Sequence, residues 1–290
     1  MFSKIIKLNS INIDKTDYIN AINLHLGLYY PLLGFVSREE FKSIITKKKI
    51  NGLNFTIPIN IFCSKKKYEK FKLGDKINLF YKGEVVGYLK LRSKFKVNKN
   101  FFLKSIFGTI NKKHKGVKNF SQKINKYPFS LGGNVFVFLD KIKKFIENSN
   151  FELLKKIKKI KKKDVAFSTR NIPHIGHNLI QETIIKSKKK LTVFLILNTK
   201  NKYPKNLLMK TYQSLRKNKK FKNIKIVFIY LPTFFGGPKE AFFQAKIFEN
   251  LKYKFFYVGR DHAGYKSFYK KFDSQKIFKK LKSKIKIIKL

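Results

Sequence analysis

The 290-residue sequence predicts an α/β protein in two parts: a small, mostly β domain over residues 1–145, then a doubly wound parallel-sheet domain over residues 146–290. Three observations carry this. Short apolar or alternating runs between turn signals fill the first half, strand and helix patterns alternate through the second, and a lysine-dense segment separates them. The length is ample for two hydrophobic cores.

In the first half, residues 54–63, 76–81 and 85–91 read as strands between turn signals such as Leu73-Gly-Asp and Lys82-Gly-Glu, and residues 134–139 follow Gly132-Gly133 in the same style. Between Lys141 and Lys163, Leu153, Leu154, Ile157 and Ile160 recur at helical spacing, which predicts a bridging helix. Beyond it, apolar strands at 164–168, 191–197, 224–231 and 254–259 alternate with helical patterns near 175–188, 204–218, 238–250 and 273–283, and a last strand covers 285–290. Such alternation places a ligand at the carboxyl ends of parallel strands.

Charge is the extreme feature of the composition: 67 Lys+Arg against 16 Asp+Glu, a formal net charge of +51. With 43% hydrophobic and 16% aromatic residues the chain is not a disordered basic tail. Only Arg38, Arg92, Arg170, Arg216 and Arg260 are arginines, and the 62 lysines are spread along the whole chain. A nucleic-acid surface would use guanidinium forks for phosphate and base contacts, so the lysines read as a solvated coat and nucleic acid is not an expected partner. Where Lys is the default cation, a position that keeps Arg stands out. The single cysteine, Cys63, excludes an intramolecular disulfide framework and any multi-cysteine metal site. The longest apolar run, Leu191–Leu197 with Thr192 inside it, is too short to cross a bilayer, and the N-terminus has no signal-peptide h-region. A cytoplasmic protein without a membrane partner is the expectation.

Two short segments concentrate the chemistry. Ser168-Thr-Arg-Asn-Ile-Pro-His-Ile-Gly-His177 follows the first strand of the α/β half and opens its first helix, where backbone N–H groups and the helix dipole favour a phosphate. His174 and His177, three apart, can face one anion; Gly176 between them lets a ligand approach the backbone, and Arg170 and Asn171 add a planar cation and a neutral donor. Val258-Gly-Arg-Asp-His-Ala-Gly264, at the end of the fourth strand, brings Arg260 and His262 to the same crevice. Three of the five histidines and two of the five arginines thus fall in two strand-end loops. Plainer readings compete. A His pair at this spacing is commonly ordinary surface or core, and His-x-x-His could supply two metal ligands, but no nearby carboxylate or cysteine completes the set, and a helix N-terminus favours an anion. The loop Gly259–Ser267 approaches a Walker phosphate-binding pattern, but Tyr265 stands where its lysine belongs.

These residues resemble a known family. His174-Ile-Gly-His177 after a first strand looks like the nucleotidyltransferase signature, and Thr169-Arg-Asn-Ile-Pro-His with Gly259-Arg-Asp-His-Ala-Gly264 is similar to ATP sulfurylase (sulfate adenylyltransferase). Gly27-Leu-Tyr-Tyr-Pro-Leu-Leu-Gly-Phe35, the string from Phe107-Gly-Thr to His114 and Gly116-Val117, Leu131-Gly-Gly133 and Gly237-Pro-Lys-Glu-Ala241 match further family strings, in the family's order. The resemblance implies a PUA-like β domain followed by a Rossmann-like catalytic domain, and attack of sulfate on the α-phosphorus of ATP to give adenylyl sulfate and pyrophosphate, with Mg²⁺ accompanying ATP and no metal ligated by the chain itself. It implies catalytic roles for His174, His177, Arg170 and Asn171. ATP contacts would come from those two histidines and Asn171 with Gly259, Arg260, Asp261 and His262; sulfate contacts would come from Arg170, Ser168 and the Ala263 backbone.

The sequence also departs from the family pattern. Ser168 stands where the family carries a sulfate-contacting Gln, the proline of Asn171-Ile-Pro-His174 is shifted by one, and Gln244 and Phe248 occupy positions usually held by His and Arg. Family members continue past the strand matched by residues 285–290 into a segment that contributes to the adenine pocket. Its absence here implies that adenine is held differently, that a separate chain supplies the part, or that the protein is repurposed. The expected partners are therefore ATP and sulfate, with a homo-oligomer or a complementing chain as further possibilities. Transfer to another anionic acceptor and a catalytically impaired paralogue that binds RNA or another polyanion are the competing functions.

Overall fold

The computed structural model describes residues 9–146, 164–198 and 203–289. The predicted bridging-helix positions Leu153, Leu154, Ile157 and Ile160 lie outside the described residues.

The first half is built on one mixed sheet. Strand β1 (Ser10–Asn12) pairs in parallel with β6 (Lys76–Tyr81); β6, β7 (Glu84–Lys96) and β8 (Phe129–Val137) continue antiparallel. Along its other edge β8 receives β2 (Gly34–Phe35) and then β5 (Ile61–Cys63). A small hairpin, β3 (Lys49–Ile50) and β4 (Leu53–Asn54), stands apart. The 54–63 segment is therefore a strand only at its two ends. Gly132-Gly133 is not a turn but the middle of β8: a Cβ on Gly133 would lie 2.1 Å from the Lys90 carbonyl oxygen, and its φ of +148° disfavours any side chain. Glycine here permits close strand approach, a different use from the chain reversal the sequence suggested.

Among the described residues six helices accompany this sheet, more than the strand-and-turn pattern predicts: α1 (Lys15–His25), α2 (Arg38–Lys47), α3 (Lys65–Lys70), α4 (Lys99–Phe107), α5 (Lys115–Lys126) and α6 (Leu139–Ile146). Their signals are mostly caps. Asp14, Ser37, Ser64 and Asn98 each accept a first-turn N–H, and Ser37 with Glu40 completes a capping box. Helix α1 is buried without a break from Asp17 to Leu24 and so shows no one-sided apolar stripe, and α3 spans only six residues with none buried.

The second half follows the predicted order closely. Strands β9 (Val165–Thr169), β10 (Leu191–Leu197), β11 (Lys225–Tyr230), β12 (Phe255–Tyr257) and β13 (Lys286–Ile288) alternate with α7 (Ile175–Lys186), α8 (Lys205–Lys217), α9 (Pro238–Asn250) and α10 (Asp273–Lys280). All five strands are parallel, in the order β11-β10-β9-β12-β13. The order reverses between β9 and β12, which opens a crevice at their carboxyl ends.

Both faces of this sheet are covered, and every residue of β10 is buried. Val165, Phe167, Val193 and Leu195 pack with Ile184 of α7 and Leu208 and Tyr212 of α8. Ala166, Phe194 and Ile196 face the other way, into a core continuous with the first half. Helix α9 runs through that second layer, and its residues from Glu240 to Phe248 are buried without a break because the antiparallel half covers the side the sheet does not. Phe243 shows the join, with its ring 4.9 Å from Tyr29 and 5.6 Å from Phe55. Asn250 donates to the carbonyls of Leu28 (2.9 Å) and Tyr30 (2.8 Å), Asn23 donates to the Tyr230 carbonyl (2.9 Å), and the Lys239 ammonium donates to the Ser105 carbonyl.

Candidate active site at the strand switch point

A cavity of about 360 Å³ occupies the crevice. Of the residues singled out in the sequence, Ser168, Arg170, Asn171, His174, His177, Gly259, Asp261, His262 and Ala263 line it. Arg260 does not. Its Nε lies 2.7 Å from Asp261 Oδ2, the pair is more than half exposed, and the guanidinium is taken up by its neighbour at the surface.

The outer wall is the start of α7. His174 is its N-cap, not a first-turn residue: Nδ1 accepts the long (3.5 Å) N–H bond from His177, which leaves the proton on Nε2. The His174 and His177 rings lie face to face, 3.9 Å between centroids and 30° apart, so the pair adjoins as the spacing predicted. Phe167 presents its ring edge-on to His177 at 5.2 Å and stacks on Tyr257 at 5.1 Å. Burial, reinforced by His174, pushes the His177 imidazole down to about 4, so it is neutral near pH 7. Its Nδ1 is buried without a hydrogen-bond partner.

The inner wall is a hydrogen-bonded network that runs across three elements. Ser168 Oγ donates to Gln244 Oε1 at 3.2 Å, and His262 Nε2 lies 3.0 Å from the same oxygen. With its oxygen taking both hydrogens, Gln244 fixes His262 as the Nε2–H tautomer. Gln244 Nε2 donates to Glu240 Oε1 at 3.4 Å, and Glu240 Oε2 accepts the Gly236 N–H at 3.0 Å. Burial drives the Glu240 carboxyl upward, and the nearby Arg170 charge opposes this most strongly. His262 is pushed down to about 4, first by burial and then by Arg170.

Arg170 is itself held. Its Nη1 donates to Thr233 Oγ1 at 3.0 Å, the oxygen that also accepts from Asn198 Nδ2 at 2.8 Å, and its guanidinium carbon lies 5.6 Å from the Phe235 ring centre. Thr233, Phe235 and Asn198 were not among the candidates. Asn198 follows β10 and Thr233 follows β11, so the rule that ligands meet parallel strands at their carboxyl ends could have found both.

The site thus joins a helix N-terminus, an oriented arginine and two neutral imidazoles around a small concavity, an arrangement suited to polyanions. It does not suit a metal held by the chain. Among the described residues no group of three or more His, Cys, Asp and Glu is placed to hold one, Asp261 is paired with Arg260, and Glu240 is committed to Gly236 and Gln244. Among the same residues no helix is long and apolar enough to cross a membrane.

Comparison with known proteins agrees with the fold and the motifs. A PUA-like domain family model matches residues 1–140, and the ATP-sulfurylase family model matches residues 147–290. A sulfate adenylyltransferase of Carboxydothermus hydrogenoformans is 30% identical over 285 residues, covering 92% of this chain and 72% of that protein. Those of Ignicoccus hospitalis and Trichodesmium erythraeum are 27% and 28% identical, each over 93% of this chain and 72% and 71% of their own lengths. Among solved structures, a chain described as a hexameric APS kinase from Thiobacillus denitrificans superposes with a TM-score of 0.67 at 14% identity. This chain is covered completely and spans 52% of that one, a likeness of fold. With its PUA-like and parallel-sheet parts in this order, the chain belongs to the ATP-sulfurylase (sulfate adenylyltransferase) family.

Proposed function

We propose that the protein is a sulfate adenylyltransferase, with residues 1–145 as a supporting PUA-like domain and residues 146–290 as the catalytic one. A sulfate oxygen attacks the α-phosphorus of ATP; the new S–O–P bond forms as the bond from the α-phosphorus to the bridging oxygen breaks, and that electron pair leaves on pyrophosphate. No covalent nucleophile from the protein is needed, so catalysis reduces to holding two anions in line and stabilising the charge that develops on the leaving group.

The observation that carries this reading is the cavity at the β9/β12 switch point, with the α7 N-terminus on one wall and Arg170 on another. His174, through Nε2–H, and His177 meet the ATP phosphates at the helix end, where the neutral His177 imidazole adds nothing to the protein's charge. Asn171 and the Gly259–Asp261 backbone flank them. Arg170 grips sulfate beside Ser168, with the Ala263 N–H completing the pocket. Mg²⁺ enters as part of the ATP complex, carried by the phosphates.

The test is pyrophosphate release from ATP with sulfate, molybdate or phosphate esters as acceptor. Sulfate-dependent release with adenylyl sulfate as product supports the reading. Release only with another oxyanion shifts the acceptor and places the difference at the Ser168–Gln244 wall. If no acceptor supports release and salt-sensitive RNA binding survives alanine at both His174 and His177, the polyanion-binding alternative replaces it.

A further inference from the structure

We infer that His114, in the first half of the chain, is a positioning residue for the cavity in the second: it holds the loops 231–237 and 259–269 together and through Phe235 orients Arg170. Its imidazole is completely buried at the N-cap of α5, where Nδ1 accepts the Val117 N–H at 3.2 Å. That leaves the proton on Nε2, which lies 3.2 Å from the Tyr269 hydroxyl. The Tyr269 hydroxyl accepts this hydrogen and donates its own to the Phe235 carbonyl at 2.9 Å. Burial also lowers the His114 pKa, consistent with the neutral form this sequence of bonds requires.

The Phe235 end shows what the chain of bonds maintains. Phe235 sits at φ +62°, a left-handed conformation an aromatic residue adopts only when its surroundings impose it. Its ring carries the Arg170 guanidinium at 5.6 Å and the ammonium of Lys115, the residue after His114, at 5.0 Å. Two residues on, the Gly237 N–H donates to the Ala263 carbonyl at 3.0 Å, which joins the arginine-supporting loop to the loop that carries His262. The rings of Phe268 and Tyr265 pack edge-on against His114 at 4.8 and 5.5 Å. His114 lies outside the cavity wall, so it acts only through these loops.

The catalytic half of the test rests on the proposed adenylyltransfer reaction; the structural half does not. His114→Asn keeps an acceptor for the helix cap and removes the donor to Tyr269. His114→Gln keeps a donor that reaches Tyr269 and gives up the cap. Tyr269→Phe breaks the same relay from its other end without touching the cap. Hydrogen exchange of the amides in 231–237 and 259–272 is read for each variant, together with the KM for sulfate and for ATP. We expect exchange in both loops to quicken and the sulfate KM to rise about tenfold, the scale of one lost hydrogen bond, in His114→Asn and Tyr269→Phe alike. The ATP KM should change less than the sulfate KM, combining the two substitutions should add nothing to either single one, and His114→Gln should restore both readouts despite a lower melting temperature. Unchanged loop exchange in His114→Asn and Tyr269→Phe, additive effects, or a Gln variant as impaired as the Asn variant overturns the inference. Should the wild-type protein release no pyrophosphate, the reaction assignment fails and the exchange data alone decide the role of His114.

Discussion

Replacing Arg170 by lysine separates charge from geometry at the centre of the proposed site. Both side chains are cations, but Arg170 already gives one nitrogen to Thr233 Oγ1 at 3.0 Å and lies against Phe235 at 5.6 Å, with the rest of its fork available to an anion. A lysine ammonium can satisfy Thr233 or the ligand but cannot copy the planar arrangement. Losing one charge-assisted hydrogen bond costs about 1.5–3 kcal/mol, and losing the ring contact about 0.5–1 kcal/mol. Taking the hydrogen bond alone, kcat/KM for sulfate should fall between about tenfold and a hundredfold, mainly through KM. Alanine goes further, because Arg170 is the charge that offsets the burial of Glu240. A carboxyl raised by burial favours the folded state while protonated, and that advantage is lost as the pH rises through its folded value. Without Arg170 the loss deepens, so Arg170→Ala should lower urea midpoints more at pH 8 than at pH 5, whereas Arg170→Lys should not. The assays are pyrophosphate release at varied sulfate and urea titration at both pH values. A lysine variant with wild-type kcat/KM for sulfate, or an alanine variant whose stability loss is independent of pH, would refute the placement of Arg170.

Further expectations follow from the same geometry. Asparagine caps helices as well as any residue, so His174→Asn should leave the melting temperature unchanged while the rate falls about 10²-fold through loss of the Nε2–H donor; an unchanged rate would remove His174 from the mechanism. His177 and His262 are both pushed down to about 4, so the unfolded chain binds more protons than the folded one between about pH 4 and 6.5. Their contribution to stability should be complete above that window and be lost as pH falls through it, with both C2–H resonances titrating near its lower edge; midpoints near 6.5 would contradict their burial. In Gly237→Ala the new Cβ would meet the Tyr269 ring at 2.8 Å at a residue whose φ is +52°. The strained backbone alone costs about 1–2 kcal/mol and the displaced ring adds to it, so denaturation midpoints should shift accordingly.

How much of this was legible in the sequence varies with how much of the signal was local. In the α/β half the central strands β9 and β10 are apolar runs buried on two faces, so β10 announced itself without knowledge of its partners. In the first half α1 was hidden because polar and apolar residues alike are buried from Asp17 to Leu24, and caps such as Ser37 and Asn98 were the main local sign of other helices. The two loops that hold Arg170 and the histidines were readable because rare residue types cluster there against a lysine background. Arg260 failed that logic: scarcity marked it, but its neighbour Asp261 takes the guanidinium at the surface. Thr233, Phe235 and the Ser168–Gln244–His262 network depend on distant segments meeting. No sequence window contains Ser168 and Gln244 together, and Gln244 stood out only as a departure from a family pattern.

The central claim is that the β9/β12 cavity joins sulfate to the α-phosphorus of ATP. Its most direct test is the rate of adenylyl sulfate formation from ATP and sulfate by the purified protein, alongside a variant with alanine at both His174 and His177 whose fold is verified by circular dichroism. We expect sulfate-dependent formation of adenylyl sulfate with an equal amount of pyrophosphate, reduced by at least about 10²-fold in the double variant. A wild-type protein that forms none, or a double variant that forms it at the wild-type rate, would contradict the claim.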